Sequence, residues 1–141
     1  MPQQINKLLV PVSGEHAAEA ALPLVAKLSQ ALDAEVVLLN VTILPETTEQ
    51  AAETRDSAHD ALVNASQQLP GSVRHRVEET GDPVKGILHA IVEEKPDLVI
   101  MATHGRSGLA GFTEGSIAYD VVTAGIAPVT LVPIPEDADD S

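Results

Sequence analysis

Leu98-Val-Ile-Met-Ala-Thr103 is an unbroken apolar run that leads directly into a glycine-rich stretch, residues 104–116. An apolar run without polar alternation is typical of a strand that is covered on both faces, as in a parallel sheet. Two other segments have the same character, Lys7-Leu-Leu-Val-Pro-Val12 and Glu35-Val-Val-Leu-Leu-Asn-Val41. The sequence therefore predicts three inner strands of a parallel sheet.

Helical patterns separate these strands. Apolar residues recur at three- and four-residue spacing over residues 18–32, which predicts a helix packed against the sheet; Pro23 should kink it or lie in its first turn. Thr47-Thr-Glu-Gln50 has the form of a capping box and predicts a second helix over about residues 48–68. The predicted buried stripes are Ala18, Ala21, Val25, Leu28 and Leu32 in the first helix and Ala51, Ala58, Leu62 and Ala65 in the second.

The second half of the chain continues the alternation. Residues 72–78 alternate weakly and predict an edge strand, and Asp82-Pro83 supplies the cap and first-turn proline of a third helix that ends by Pro96. A fourth helix is expected from about Ser116 to Ala124, and a last strand over residues 129–132. The acidic pairs in this half are interpreted as solvated ends of a strand and a helix: Glu78-Glu79 and Glu93-Glu94.

Five strands that alternate with four helices predict right-handed crossovers. The expected fold is a single α/β domain of the Rossmann-like type, an open five-stranded parallel sheet with helices on both faces. We expect the domain to span residues 1–135 and the acidic residues 136–141 to be a disordered tail.

The composition limits the function classes. Lys and Arg number 8 against 21 Asp and Glu, a formal net charge of -13, which opposes binding to nucleic acid and to anionic membranes. Cysteine is absent, which excludes thiolate metal sites and disulfides, and the five histidines lack metal-ligand spacing, so no metal site is predicted. Residues 1–6 lack the features of a signal peptide, and a cytoplasmic location is expected.

A candidate ligand site follows from the predicted topology. In open α/β sheets a ligand binds beyond the carboxyl ends of the strands, where the strand order reverses. The loops expected there are Ser13-Gly14, after the first strand, and residues 103–116, with glycines at 105, 108, 111 and 115. Glycines let backbone amides approach phosphate oxygens closely, and a following helix start adds oriented amides. This spacing predicts an anion-binding loop.

Each residue of the site has a second interpretation. The glycines also suit a flexible connection, and Ser13-Gly14 suits a turn that caps the first helix. Arg106 is equally consistent with an exposed loop arginine that contacts no ligand, and Ser116 suits a helix N-cap. His104 is given no catalytic role, because no carboxylate partner follows from the spacing.

Several short motifs together resemble the universal stress protein family. They are Val10-Pro-Val12, Gly81-Asp-Pro83, Thr103-His-Gly-Arg-Ser-Gly108, Gly115-Ser116 and Ala127-Pro-Val129. The resemblance implies a fold like that of the adenine nucleotide α-hydrolases. It also implies binding of ATP or another adenine nucleotide, with or without Mg, and a homodimer formed through the last strand.

The resemblance also implies roles for individual residues. The nucleotide-binding branch of the family carries Gly, two residues, Gly, nine residues, then Gly-Ser or Gly-Thr; this chain has Ala102, Gly105 and Gly115-Ser116 at those positions. By the resemblance, the backbone of Val41 meets the adenine edge, Gly105 and Arg106 meet the phosphates, and Gly115 and Ser116 meet the distal phosphates. The expected binding set is completed by Val12, Ser13, Ala102, His104 and Gly108.

Two departures from the family pattern keep alternatives open. Ala102 replaces the first glycine, and Ser13 stands where the family usually has Asp and supplies no carboxylate. The first hypothesis is a nucleotide-binding module of the stress response, and the second is a dimeric stress protein that binds no nucleotide. A relationship to ATP pyrophosphatases fits poorly, because the chain shares only the Ser13-Gly14 start of their loop. The Lys of a Walker loop is missing, so any ATP hydrolysis should be slow, and no catalytic residue is nominated.

Overall fold

The computed structural model describes residues 4–12, 20–43, 47–103 and 112–134, with residues 112–116 described by their backbone. Within these ranges the predicted α/β fold is confirmed, because parallel strands alternate with helices along the chain. The strands are β1 (Lys7–Pro11), β2 (Glu35–Thr42), β3 (Val73–Glu79), β4 (Leu98–Thr103) and β5 (Val129–Pro133). The helices are α1 (Leu22–Leu32), α2 (Thr48–Ser66), α3 (Pro83–Glu94) and α4 (Phe112–Ala124).

The strand order is β3-β2-β1-β4-β5, and every neighbouring pair is parallel. The chain moves outward from β1 to β3 and then restarts on the other side of β1 with β4, so the order reverses between β1 and β4. Right-handed crossovers then put α1 and α2 on one face, called the front, and α3 and α4 on the back. The core is divided accordingly into a front cluster and a back cluster of buried side chains.

The helix starts follow the local sequence. The Thr47 hydroxyl oxygen accepts a hydrogen bond from the Gln50 amide at 3.3 Å, and the Asp82 carboxylate accepts from the Val84 and Lys85 amides at 3.0 and 3.3 Å. These bonds satisfy amides that a helix start leaves free. Pro23 lies in the first turn of α1, where its missing amide hydrogen costs nothing. The four residues predicted to form the α2 stripe are all buried.

Two helix predictions were wrong in detail. α4 begins at Phe112 rather than near Ser116, so Ser116 lies in the second turn and is not the N-cap. Gly115, predicted as the last glycine of the loop, lies within the helix, although a glycine costs a helix about 1 kcal/mol relative to alanine. Leu32, at the end of α1, is 38% exposed rather than buried. Ala18 and the predicted tail, residues 136–141, lie outside the described residues.

The interpretation of Glu94 as a solvated helix end was also wrong. Its side chain is 8% exposed and lies 2.5 Å from Arg74 Nη2, 2.9 Å from Arg76 Nη1 and 3.5 Å from Lys7 Nζ. The hydrogen bond from Arg74 is the main cause that lowers the pKa of Glu94 to about 2. We call these four residues the Glu94 cluster. Its arginines lie on β3, about twenty residues before Glu94, so the pairing forms only when α3 packs on the sheet.

Glu78 is a second acidic residue that is paired in the fold and not solvated as predicted. Its side chain is 13% exposed, and its carboxylate contacts Arg76 Nη2 at 2.6 Å and His89 Nδ1 at 2.8 Å. Burial raises the pKa of Glu78, but the hydrogen bonds with His89 and Arg76 outweigh burial and leave the pKa below its ordinary value. Glu79 and Glu93, by contrast, are exposed as expected.

Candidate functional site

The central strands separate where the strand order reverses. β1 pairs with β4 through Leu8–Leu98 and Leu9–Val99, whereas it follows β2 further, through Pro11–Leu39. Val12 extends this contact, because its amide donates to the Leu39 carbonyl at 2.8 Å. The last residues of β1 are therefore held from the β2 side, and the β1–β4 ladder ends below them. This is the geometry in which open α/β sheets bind ligands.

The backbone of Val41 points toward the β1 side of the sheet. Along a parallel strand, successive residues direct their backbone groups alternately to the two neighbouring strands. The Leu39 carbonyl accepts from β1, and the Thr42 carbonyl accepts from the Thr80 amide, beyond β3, at 3.0 Å. Val41, two residues after Leu39, therefore directs its amide and its carbonyl over the end of β1, beyond the last β1–β2 pair.

The Val41 side chain lies on the back face, against α3. A Cβ atom built at Gly86 of α3 would lie 2.7 Å from Val41 Cγ1, closer than real Cβ atoms approach, and 3.0 Å from Thr80 Cγ2, which is a tight contact. Gly86 thus lets α3 and the end of β2 pack tightly and fixes the position of Val41. Sequence reasoning missed Gly86, although a glycine inside a regular helical stripe is a signal of close packing.

A buried polar network joins the ends of β1 and β2. Asn40 Nδ2 donates to the Val12 carbonyl at 3.0 Å, and the Thr42 hydroxyl donates to Asn40 Oδ1 at 2.6 Å. Asn40 is 6% exposed, Thr42 3% and Val12 5%. We call these three residues the Asn40 network. The sequence does contain a sign of this network, because Asn40 is a polar residue within the otherwise apolar run of β2. From the sequence, Asn40 is assigned only to a strand.

A cleft of about 450 Å³ opens between the carboxyl end of β2 and the flank of α2. Its described lining is mainly neutral and polar, with hydroxyl and amide groups, and Asp60 is the one described lining residue with a formal charge. The lining residues are Asn40, Val41, Thr42, Ile43, Thr54, Ser57, Ala58, Asp60, Ala61 and Asn64. The cleft therefore suits a neutral, hydrogen-bonding group better than a phosphate.

Ala102 lies at the carboxyl end of β4, on the other side of β1. It is half-buried, pairs with Val132 of β5, and packs its methyl group against the front cluster. The structure thus brings three predicted site residues, Val12, Val41 and Ala102, to the ends of three adjacent strands.

The remaining predicted site residues divide into two groups. Gly115 and Ser116 lie in the first half of α4. The others lie outside the described residues: Ser13, His104, Gly105, Arg106 and Gly108. Nucleotide binding by all of these residues stays a prediction.

Two further features of the described ranges bear on the site. Residues 4–12, 20–43, 47–103 and 112–134 contain no group of three or more His, Asp or Glu side chains that could hold a metal ion. In the same ranges, every helix is too short or too polar to cross a membrane.

Comparison with known proteins decides the family. The model of the universal stress protein family matches residues 4–133. The chain belongs to the universal stress protein family. A universal stress protein of Methanocaldococcus jannaschii is 25% identical over 142 residues, covering 93% of this chain and 84% of that protein. One from Mycobacterium tuberculosis is 35% identical over 70 residues, covering 50% of this chain and 22% of that much longer protein.

Solved structures of other universal stress proteins share the fold. One in complex with cAMP matches with a TM-score of 0.78 at 18% identity, covering 94% of this chain and all of that one. An Arabidopsis thaliana member with AMP bound gives 0.66 at 17% identity, with 94% of each chain covered. An Archaeoglobus fulgidus member in complex with dAMP gives 0.62 at 16% identity, covering 93% of this chain and 98% of that one.

Proposed function

We propose that this universal stress protein is an adenine-nucleotide-binding module of the stress response, with the nucleotide held at the carboxyl ends of β1, β2 and β4. The observation that carries the proposal is the end of the β1–β4 ladder at Leu9–Val99, where the strand order reverses. Family members of the same fold crystallised with cAMP, dAMP and AMP add support.

The end of β2 suits an adenine base. The Watson–Crick edge of adenine presents one donor and one acceptor, and the Val41 backbone directs one acceptor and one donor over the end of β1. The adjoining cleft of about 450 Å³ is large enough for a nucleoside, and the hydroxyl and amide side chains that α2 contributes to it, Thr54, Ser57 and Asn64, suit the sugar and base. The base is therefore assigned to Val41 and the phosphates to the side of β4.

The phosphates are assigned to the glycine-rich segment that follows β4. Gly105, Gly108 and Arg106 supply amides and the only cation after Lys95 in the sequence, and Gly115 and Ser116 follow in α4. Glycine amides are a general device for holding anions, and the start of α4, at Phe112, adds amides that the helix leaves free. ATP, with or without Mg, would use the most phosphate contacts of this segment. AMP is the smallest nucleotide that would reach both the base position at Val41 and the phosphate position beside β4.

Release of bound nucleotide and calorimetry test the proposal. Protein purified from cells is denatured, released nucleotide is identified by mass spectrometry, and AMP and ATP are titrated into nucleotide-free protein. We expect adenylate release and saturable heats in the wild type, and loss of both in Gly105→Val. The matched control is Gly81→Val, because a Cβ atom at Gly81 meets nothing within 4 Å. No released adenylate and no heat from either nucleotide in the wild type would contradict the proposal.

Ala102 favours a second candidate, a dimeric stress protein that acts without nucleotide. Its methyl group occupies the position where the nucleotide-binding branch has a glycine, and it packs on the front cluster beside the end of β1. Ala102→Gly distinguishes the two candidates. If the first is right, the variant binds AMP at least as tightly as the wild type; if the second is right, neither protein binds.

We also propose a homodimer formed through β5. This strand ends the described sheet on one side, and Leu131 is 41% exposed on it, in a segment whose apolar edge would otherwise face water. Sedimentation should show a dimer at micromolar concentration and a monomer for Leu131→Asp. A wild type that sediments only as monomer would contradict the dimer.

We propose a cytoplasmic location, since a chain that contains no cysteine forms no disulfides and does not require an oxidising compartment. Cell fractionation tests this, and we expect the protein to follow a cytoplasmic marker. Recovery with the membrane fraction would contradict it.

A further inference from the structure

The end of β1 is bonded through its backbone from one side only among the described residues. The β1–β4 ladder ends at Leu9–Val99, so the described backbone bonds near Val12 come from β2. Both backbone groups of Val12 are used there: its amide donates to Leu39 and its carbonyl accepts from Asn40. Any movement of Val12 would move the carboxyl end of β1, where the proposed function places the nucleotide.

Asn40 is held in one orientation. A backbone carbonyl only accepts hydrogen bonds, so the amide nitrogen of Asn40 must face Val12 and its oxygen must face Thr42. The Thr42 hydroxyl then donates to that oxygen at 2.6 Å, which keeps the amide from turning over. All three residues are buried, where an unpaired polar group would be costly. Each polar side-chain atom of the network thus has a partner, and the network links β1 to β2.

A stability role alone does not explain the position of this network. Burying an amide on the front face stabilises the protein less than a leucine would, since hydrogen bonds contribute little net free energy and apolar burial contributes more. The neighbouring front-face residues of β2, Val36 and Leu38, are apolar and fully buried. The polar side chains begin only at the carboxyl end, beside the cleft and the proposed ligand.

We propose that Asn40 is a positioning residue, kept in orientation by Thr42, that fixes the end of β1 for nucleotide binding. This inference rests on the proposed function, because its affinity measurement requires that the protein binds AMP. Asn40 acts through the Val12 carbonyl and not by contact with the nucleotide.

Three variants test this. Asn40→Leu keeps a similar shape but cannot donate to Val12, and Thr42→Val removes the hydroxyl that orients Asn40. Ser29→Ala is the matched control, because Ser29 is also a buried front-face polar residue, 5% exposed, bonded to a backbone carbonyl at 3.1 Å, but on α1. For each protein, the AMP dissociation constant is measured by calorimetry and the folded fraction by denaturant titration.

We expect Asn40→Leu to weaken AMP binding about tenfold or more and Thr42→Val to weaken it about threefold, with Ser29→Ala at the wild-type affinity. Unchanged affinity in folded Asn40→Leu would overturn the inference. If Asn40→Leu does not fold, Thr42→Val decides, and unchanged affinity there overturns it.

Hydrogen exchange separates this inference from the proposed function. If the wild type binds no AMP, the proposed function fails, and the Val12 amide then reports on the positioning alone. Faster exchange at Val12 in Asn40→Leu, with Val10 unchanged, supports the positioning role. Equal exchange at Val12 in the two proteins overturns it.

Discussion

The Glu94 cluster and the Asn40 network are two polar groups of side chains on the same sheet, and they differ in charge and in burial. The Glu94 cluster joins the starts of β1 and β3 to the end of α3 with four charged side chains, and its arginines are partly exposed. The Asn40 network joins the carboxyl ends of β1 and β2 with neutral groups, and all of it is buried.

The difference separates stability from binding. Charges gathered at the amino ends of the strands tie α3 to the sheet, and their contribution depends on pH. The carboxyl ends of β1 and β2 are joined by neutral hydrogen bonds, which do not titrate. We therefore expect changes in the Glu94 cluster to alter stability without altering nucleotide affinity, and changes around β2 to alter affinity.

Removal of the Glu94 carboxylate should have the largest effect on stability. Glu94→Ala leaves Arg74, Arg76 and Lys7 without their shared partner, and we expect the free energy of unfolding to fall by about 2–3 kcal/mol. AMP affinity should stay at the wild-type value. Denaturant titration and calorimetry measure the two. The control is Glu93→Ala, whose side chain is 54% exposed and should matter little. Weaker AMP binding by Glu94→Ala would contradict the proposal that the Glu94 cluster affects stability and not nucleotide affinity.

Acid should have the next largest effect. The pKa of Glu94 is about 2 in the folded protein against 4.5 ordinarily, so its contribution is present above pH 4.5 and is lost as the pH falls toward 2. We expect the wild type to lose about 2 kcal/mol more than Glu94→Gln between pH 5 and pH 2.5. Denaturant titrations of both proteins across this range measure the difference. Parallel pH curves would show that Glu94 does not carry the acid sensitivity.

Gly86→Ala should have a smaller effect on stability but should also weaken nucleotide binding. The added methyl group would collide with Val41, and overpacking of about 1–3 kcal/mol exceeds the gain of about 1 kcal/mol in helix propensity. We expect a net loss of about 1 kcal/mol and weaker AMP binding, because Val41 must shift. Gly81→Ala, where the space is open, is the control. Unchanged affinity in Gly86→Ala would show that the Val41 position is not important.

Local features of the sequence predicted most of the fold. Apolar runs placed the inner strands, and Thr47 and Asp82 marked the starts of α2 and α3, because caps and buried stripes depend on residues close together in the chain. The start of α4 was missed since Gly115 weakens a helix locally, but the helix includes it.

The contacts around the site could not be predicted in the same way. The partners of Glu94, the bond from Asn40 to Val12 and the fit of Gly86 against Val41 join residues 18 to 87 positions apart. Such contacts depend on strand order and on helix placement, which no local pattern specifies. The predicted edge strand, β3, gave no sign that its arginines would reach α3.

Backbone amide shifts during an AMP titration test the central claim most directly. If the nucleotide binds where the sheet order reverses, the largest NMR shift changes among the described residues should fall at Val12, residues 40–43 and residues 102–103. Amides at the other end of the sheet, at Lys7, Arg74 and Glu94, should not move. Saturable changes confined to that other end, or no change at millimolar AMP, would contradict the account.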